Sequence, residues 1–172
     1  MLGFYAARLT AVEINNTFYR MPKEEVLLSW AAQVPDDFVL ALKAPQVITH
    51  RKRLRDVASE TEYFCRTVSV LDRKLGPILF QFPPSFQADR ARLQEFLPLI
   101  PGHMSAAFEF RHPSWLGDDI LDLLRGRGFS LCLADTEENP LQEFITTAPW
   151  GYLRLRRGDY TAADLSRWLE KI

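Results

Sequence analysis

The stretch Ala107-Phe108-Glu109-Phe110-Arg111-His112-Pro113-Ser114-Trp115 decides how the rest of the chain is read. An apolar run beginning at Ser105 predicts a short buried strand, and Glu109 and Arg111 break into its far end. Side chains alternate between the two faces of a strand, so Phe108 and Phe110 go one way and Glu109 and Arg111 the other. Ionisable groups are costly to bury unless they line a polar cavity. Polar groups therefore gather at the carboxyl end of this strand, and Pro113 stops the chain behind them.

Working outward, the same design recurs. Residues 11–15 are strand-like, with Glu13 and Asn15 on one face. Residues 38–43 form a buried run ending in Lys43, and residues 77–82 carry Gln81 near their end. Residues 129–134 lead into Asp135, and residues 152–155 carry Arg154. Helical periods lie between these runs. One follows Pro22 with Glu24 and Glu25 in its first turn, and one starts near Asp56. Asp89 caps the next, and Asp118 and Asp119 open another. Thr161 caps the last, which faces inward through Leu165, Trp168, Leu169 and Ile172. Residues 1–8 read as the tail of a helix. Residues 136–148 show no clean period and read as loop with at most a short helix.

Apolar strands alternating with helices, without tight hairpin turns, predict a parallel α/β sheet with right-handed crossovers. A polar residue near almost every strand end favours a TIM-barrel-like (β/α) arrangement, where strand ends converge on one mouth, over an open sheet. Six strands are visible, against the eight of a complete barrel.

Composition fits an ordinary globular domain. The chain has 172 residues, 47% apolar and 25% charged, with 21 Lys plus Arg against 22 Asp plus Glu. No global field draws it to nucleic acid or anionic lipid. Two cysteines, Cys65 and Cys132, fit a reduced protein better than a disulfide scaffold. No membrane span or leader is visible, so a cytoplasmic location is expected.

Five segments, in order, resemble the signatures of the YecE-like family, catalogued as a domain of unknown function. They are Val12-Glu13-Ile14-Asn15-Asn16-Thr17-Phe18-Tyr19-Arg20-Met21-Pro22; residues 38–45 with Ile48-Thr49-His50; Gly76-Pro77-Ile78-Leu79-Phe80-Gln81-Phe82-Pro83-Pro84-Ser85-Phe86; residues 107–115; and Leu131-Cys132-Leu133-Ala134-Asp135. The resemblance implies a TIM-barrel-like fold and no established reaction. It also implies an opening strand with a Gly-Thr-Ser-Gly-Trp segment, and a closing strand after the last helix. Neither is in this sequence. The expectation is one barrel domain over residues 1–172, a fragment or truncated form, with open edges at 11–15 and 152–155 that invite self-association.

At a shared mouth, Glu13, Glu109 and Asp135 are the candidate catalytic acids. Lys43, Arg111 and Arg154 would neutralise a small anionic or polyhydroxylated substrate. Asn15, His50, Gln81 and His112 would add hydrogen bonds, and Tyr19, Phe18 and Trp115 flat walls. Opposite charges so placed shift one another's pKa, as acid–base chemistry of a hydrolase or isomerase requires. Glu13 and Glu109 are also a carboxylate pair of the kind glycosidases use. The same residues equally suit a satisfied salt-bridge layer in a non-catalytic scaffold. The cofactor stays open. Glu13, Glu109, Asp135 and His112 offer donors for a hard divalent ion, but no H-x-H or H-E-x-x-H spacing supports one, and Lys43 and Arg111 would repel it. Thus no metal ligands are assigned. No Gly-rich phosphate loop or G-x-S-x-G elbow is present. The run His50-Arg51-Lys52-Arg53-Leu54-Arg55 reads equally as a loop at the mouth that receives a phosphate-bearing ligand and as a solvated basic turn. It also keeps nucleic acid as a second class of partner, held by phosphate contacts and stacking on Phe18 and Tyr19.

Overall fold

Small and large residues alternate along the strands, and that alternation builds the two sides of the sheet. A computed structural model describes residues 2–138, 140 and 144–171. Strands β1 (Ala11–Ile14), β2 (Val39–Lys43), β3 (Leu75–Gln81), β4 (Ala106–Glu109), β5 (Ser130–Asp135) and β6 (Tyr152–Leu155) lie in chain order, every neighbour parallel. They match the runs expected from sequence to within two residues at each end. Helices α1 (Leu2–Ala6), α2 (Asn16–Tyr19), α3 (Glu24–Ala31), α4 (Ala58–Val68), α5 (Arg90–Phe96), α6 (Asp118–Arg125) and α7 (Ala162–Leu169) intervene. The Asp89 carboxylate accepts from Arg92 N–H at the start of α5, and Thr161 with Asp164 forms a capping box on α7.

The large residues face the helices. Leu40, Leu42, Ile78, Phe80, Phe108, Leu131 and Leu133 join Leu27, Phe64, Phe96 and Leu121 in one core. Phe80 and Phe108 stack at 5.3 Å, and Phe110 lies flat on Trp115 at 4.8 Å. On the other face Leu79, Ala107 and Cys132 form a separate cluster, with Trp150 and Tyr152 packed on it.

One irregularity decides which face β3 presents. Leu40 pairs with Leu75, but Leu42 pairs with Ile78, so β3 holds one extra residue there. An extra residue reverses the pleat beyond it. Leu75 and Ile78 both face the helices, and Leu79 and Gln81 are turned to the hollow beside Lys43. Gly76 makes this approach feasible, because a Cβ there would lie 2.5 Å from Val39 Cγ1 and 3.1 Å from Ala41 N.

The sheet curls into a half-barrel. Tyr152 and Arg154 of β6 reach Glu13 of β1 across the hollow, although β1 and β6 are not paired. In α7 the expected inward face is only partly realised. Trp168 is buried, but Leu165 and Leu169 are 44% and 75% exposed, and none of the three joins the main core. Ile172 falls outside the described residues, as do 139 and 141–143 of the segment read as loop. Within that segment Thr147 is buried, its hydroxyl accepting from Leu131 N–H and donating to Phe129 O. Among the described residues no helix is long and apolar enough to cross a membrane.

Candidate functional site

Pleat parity selects which strand tips enter the hollow. Glu13, Lys43, Gln81, Glu109 and Arg154 all follow the inward-facing side of their strands, at the carboxyl end of the sheet. Arg154 is the keystone. Its Nη1 donates to Glu109 Oε2 at 2.5 Å and its Nη2 to Glu13 Oε1 at 2.8 Å. Arg111 Nε donates to the other oxygen of Glu109 at 3.0 Å. Asn15 Nδ2 and Tyr152 Oη donate to Glu13 at 2.9 and 2.8 Å. Glu109 is 1% exposed, so its carboxylate is tolerated only because two guanidinium groups satisfy it.

Lys43 stands beside this chain of ion pairs. Its Nζ donates to Gln81 Oε1 at 2.6 Å and lies 4.0 Å from the Phe18 ring centroid. Among the described residues no carboxylate bonds it directly. Burial, reinforced by the Arg154 charge, brings the Lys43 ammonium down to a pKa of about 8. The end of β2 is locked from outside, where the buried Thr17 hydroxyl donates to Lys43 O at 2.6 Å and seats α2.

His50 comes from a single π-helical turn, Val47–Arg51, after β2. Its ring meets Phe18 edge-on at 4.8 Å and its Nδ1 lies 2.8 Å from Thr49 Oγ1. Burial, with Lys43 and Arg111 adding like charge, lowers its pKa to about 4, so the imidazole is neutral at pH 7. Below the ring, burial and the Glu109 charge push the Cys132 thiol well up, which leaves it an inert packing group. Burial and Glu13 likewise raise Tyr152 and keep its phenol protonated.

Other expected members of the site lie elsewhere. Asp135 sits on the pleat of Leu131 and Leu133, facing away from Glu13 and Glu109. It is held instead by Arg157 Nε at 2.9 Å and Tyr160 Oη at 2.9 Å. Trp115 is not a wall of the hollow. It is fully buried on the helix side, where its indole N–H donates to Phe86 O at 2.6 Å. His112 caps the short turn Pro113–Leu116, accepting from Ser114 N–H. Tyr19 touches Phe18 edge-on but is 72% exposed, so Phe18 supplies the flat surface. The four donors considered for a divalent ion consequently do not converge, and Arg154 occupies the space between Glu13 and Glu109. Among the described residues no three His, Cys, Asp or Glu side chains gather as a metal site.

Sequence reading missed Tyr152 and Thr17. The signal for Asp135 was present: Lys43 and Glu109 share their strand face with Ala41 and Ala107, whereas Asp135 shares its face with two leucines. A recess of about 440 Å³ runs along α2 and α3 past Met21, Pro22 and Trp30. Another, of about 510 Å³, opens among Arg51, Lys52, Arg53, Arg55, Asp56 and Arg92. Neither is lined by Glu13, Glu109 or Arg154.

Comparison with known proteins agrees with this architecture. The profile described as "Protein of unknown function DUF72" matches residues 1–172. The UPF0759 protein YecE of Escherichia coli strain K12 is 33% identical over 138 residues, covering 77% of this chain and 51% of that protein. The chain spans about half the length of the curated relatives it matches. A crystal structure of a DUF72 family protein from Thermotoga maritima superposes with TM-score 0.81 at 27% identity, over 99% of this chain and 75% of that one. Another from Enterococcus faecalis V583 gives TM-score 0.82 at 22% identity, over 100% of this chain and 80% of that one, a likeness of fold.

Proposed function

This chain belongs to the DUF72 family of proteins of unknown function, and from that premise we propose that the hollow at the carboxyl end of its strands is an acid–base site for a small anionic or polyhydroxylated substrate. The observation that carries this reading is the pairing at the ring. Both carboxylates are fixed by Arg154, while Lys43 beside them has no carboxylate partner among the described residues.

In this reading the roles divide by charge. Three cations, Lys43, Arg111 and Arg154, face two carboxylates, Glu13 and Glu109, so the ring favours a substrate carrying negative charge or many hydroxyl groups. Lys43 is the proton carrier, since an amine with pKa near 8 exists in both forms close to neutral pH. Arg111, whose side chain is 37% exposed, receives the anionic group of the substrate. Neutral His50 offers a hydrogen bond without adding charge. Glu13 and Glu109 hold the cations in place and accept substrate hydroxyls. Placement at this face supports the reading, because barrel enzymes keep their chemistry there.

The test is proton exchange. The protein is incubated in deuterated buffer with a panel of sugars, sugar acids and hydroxy acids, followed by NMR. Wild type is expected to exchange a carbon-bound proton of one class of compound, or to convert it. Lys43→Met, folded by circular dichroism, is expected to do neither. A panel untouched by wild type, or processed equally by Lys43→Met, contradicts the proposal.

A further inference from the structure

We propose that the recess bounded by Arg51, Lys52, Arg53, Arg55 and Arg92 binds the terminal phosphate group of a small molecule, at a position separate from the Glu13–Arg154–Glu109 ring. The recess is shallow and open to solvent, about 510 Å³, and among the described residues Asp56 is the one acid lining it. Among those residues its five cations face three nearby carboxylates, with Glu60 on Lys52 and Asp89 on Arg92 in addition to Asp56. Two positive charges are left to be met, which suits a phosphate monoester at neutral pH, carrying close to two negative charges. A phosphodiester, with one charge per phosphate, meets only half of that.

The backbone is shaped to put these charges together. Leu54 is buried, with its N–H donating to Ile48 O. The chain dips to that anchor and returns through left-handed φ values of 49° at Arg53, 66° at Leu54 and 48° at Asp56. None of the three is glycine, and such conformations are unfavourable for ordinary residues. The basic residues flanking Leu54 are thereby thrown to the solvent side of the turn, next to Arg92 from α5.

Two of the guanidinium groups are already oriented. Arg53 donates to Ser85 Oγ at 3.0 Å and lies over the Phe86 ring. Arg92 donates to Arg53 O at 3.2 Å, pairs with Asp89 at 2.9 Å and lies over the same ring. A planar fork held this way loses little freedom when it grips an oxyanion. Arg51 and Arg55 have no ion-pair partner among the described residues, and they supply the exposed side of the grip.

Isothermal titration with methyl phosphate at about 0.15 M salt tests the proposal, with dimethyl phosphate and a thymidine oligonucleotide lacking terminal phosphates as controls. Saturable methyl phosphate binding is expected, roughly tenfold or more tighter than dimethyl phosphate. The double variant Arg53→Met/Arg92→Met is expected to weaken it by a similar factor. The exposed pair Arg51→Gln/Arg55→Gln, which carries no packing role, is expected to weaken it too. No saturation, affinity unchanged in the Arg51→Gln/Arg55→Gln variant, or tighter binding of the oligonucleotide than of methyl phosphate would overturn the assignment.

Discussion

Replacing Arg154 with Met removes the guanidinium that holds both Glu13 and Glu109, and the loss can be sized from its contacts. Arg154 is 10% exposed, bonds Glu109 at 2.5 Å and Glu13 at 2.8 Å, and leaves Glu109 with Arg111 alone when removed. A hydrogen bond to a charged group contributes about 1.5–3 kcal/mol, and breaking a buried pair costs about 3–5 kcal/mol because the stranded charge stays buried. Arg154→Met should therefore lower stability by about 3–5 kcal/mol at pH 7 in urea titrations. Arg111→Met loses one bond from a side chain 37% exposed, and about 1 kcal/mol is expected there. A buried carboxylate that has lost a guanidinium partner holds its charge less well, so the deficit of Arg154→Met relative to wild type should shrink as pH falls toward 4. Adding Glu13→Gln to Arg154→Met should recover part of the loss. An Arg154→Met protein within 1 kcal/mol of wild type, or a deficit indifferent to pH, would refute the claim that this guanidinium holds the hollow together.

Gly76→Ala forces a Cβ to within 2.5 Å of Val39 Cγ1 and 3.1 Å of Ala41 N, so a loss of about 1–3 kcal/mol is expected by chemical denaturation. The variant should also perturb the Lys43–Gln81 contact, visible as shifted Gln81 side-chain amide resonances. His50 has a folded pKa of about 4 against 6.5 ordinarily, so the unfolded chain binds more protons between those values and stability falls as pH drops from 6.5 to 4. His50→Asn should flatten that limb of the stability profile, and an unchanged slope would contradict the burial of His50 against Lys43 and Phe18.

Much of this fold was legible because it rests on local chemistry. Lys43, Glu109 and Arg154 each close a short strand, and the alternation Phe108, Glu109, Phe110, Arg111 gave the two faces of β4 directly. Asp89 and Thr161 announced their helices by type and position. The bulge at Gly76 was not legible. It depends on how closely β3 approaches β2, and without it Gln81 would face the helices. Trp115 was misplaced for a related reason: Pro113 and the short turn after β4 carry its ring back onto Phe110 and Phe86, on the side away from the hollow. Nor could local periodicity reveal that Tyr152 and Arg154 meet Glu13 more than a hundred residues away, because that contact follows from the curl of the whole sheet.

The most direct test of the central claim is the titration of Lys43 itself. With lysine labelled with carbon-13 at Cε, and Lys43→Met supplying the assignment, the Lys43 resonance is predicted to titrate with a midpoint of about 8. In Arg154→Met the midpoint should move up toward 10.5, since a neighbouring cation is removed. Through the same linkage, wild-type stability should rise from pH 8 to 10.5, where the unfolded chain binds the extra proton, and Lys43→Met should lack that rise. A Lys43 midpoint at or above the ordinary lysine value, unmoved by Arg154→Met, would contradict the account of the hollow as an acid–base site.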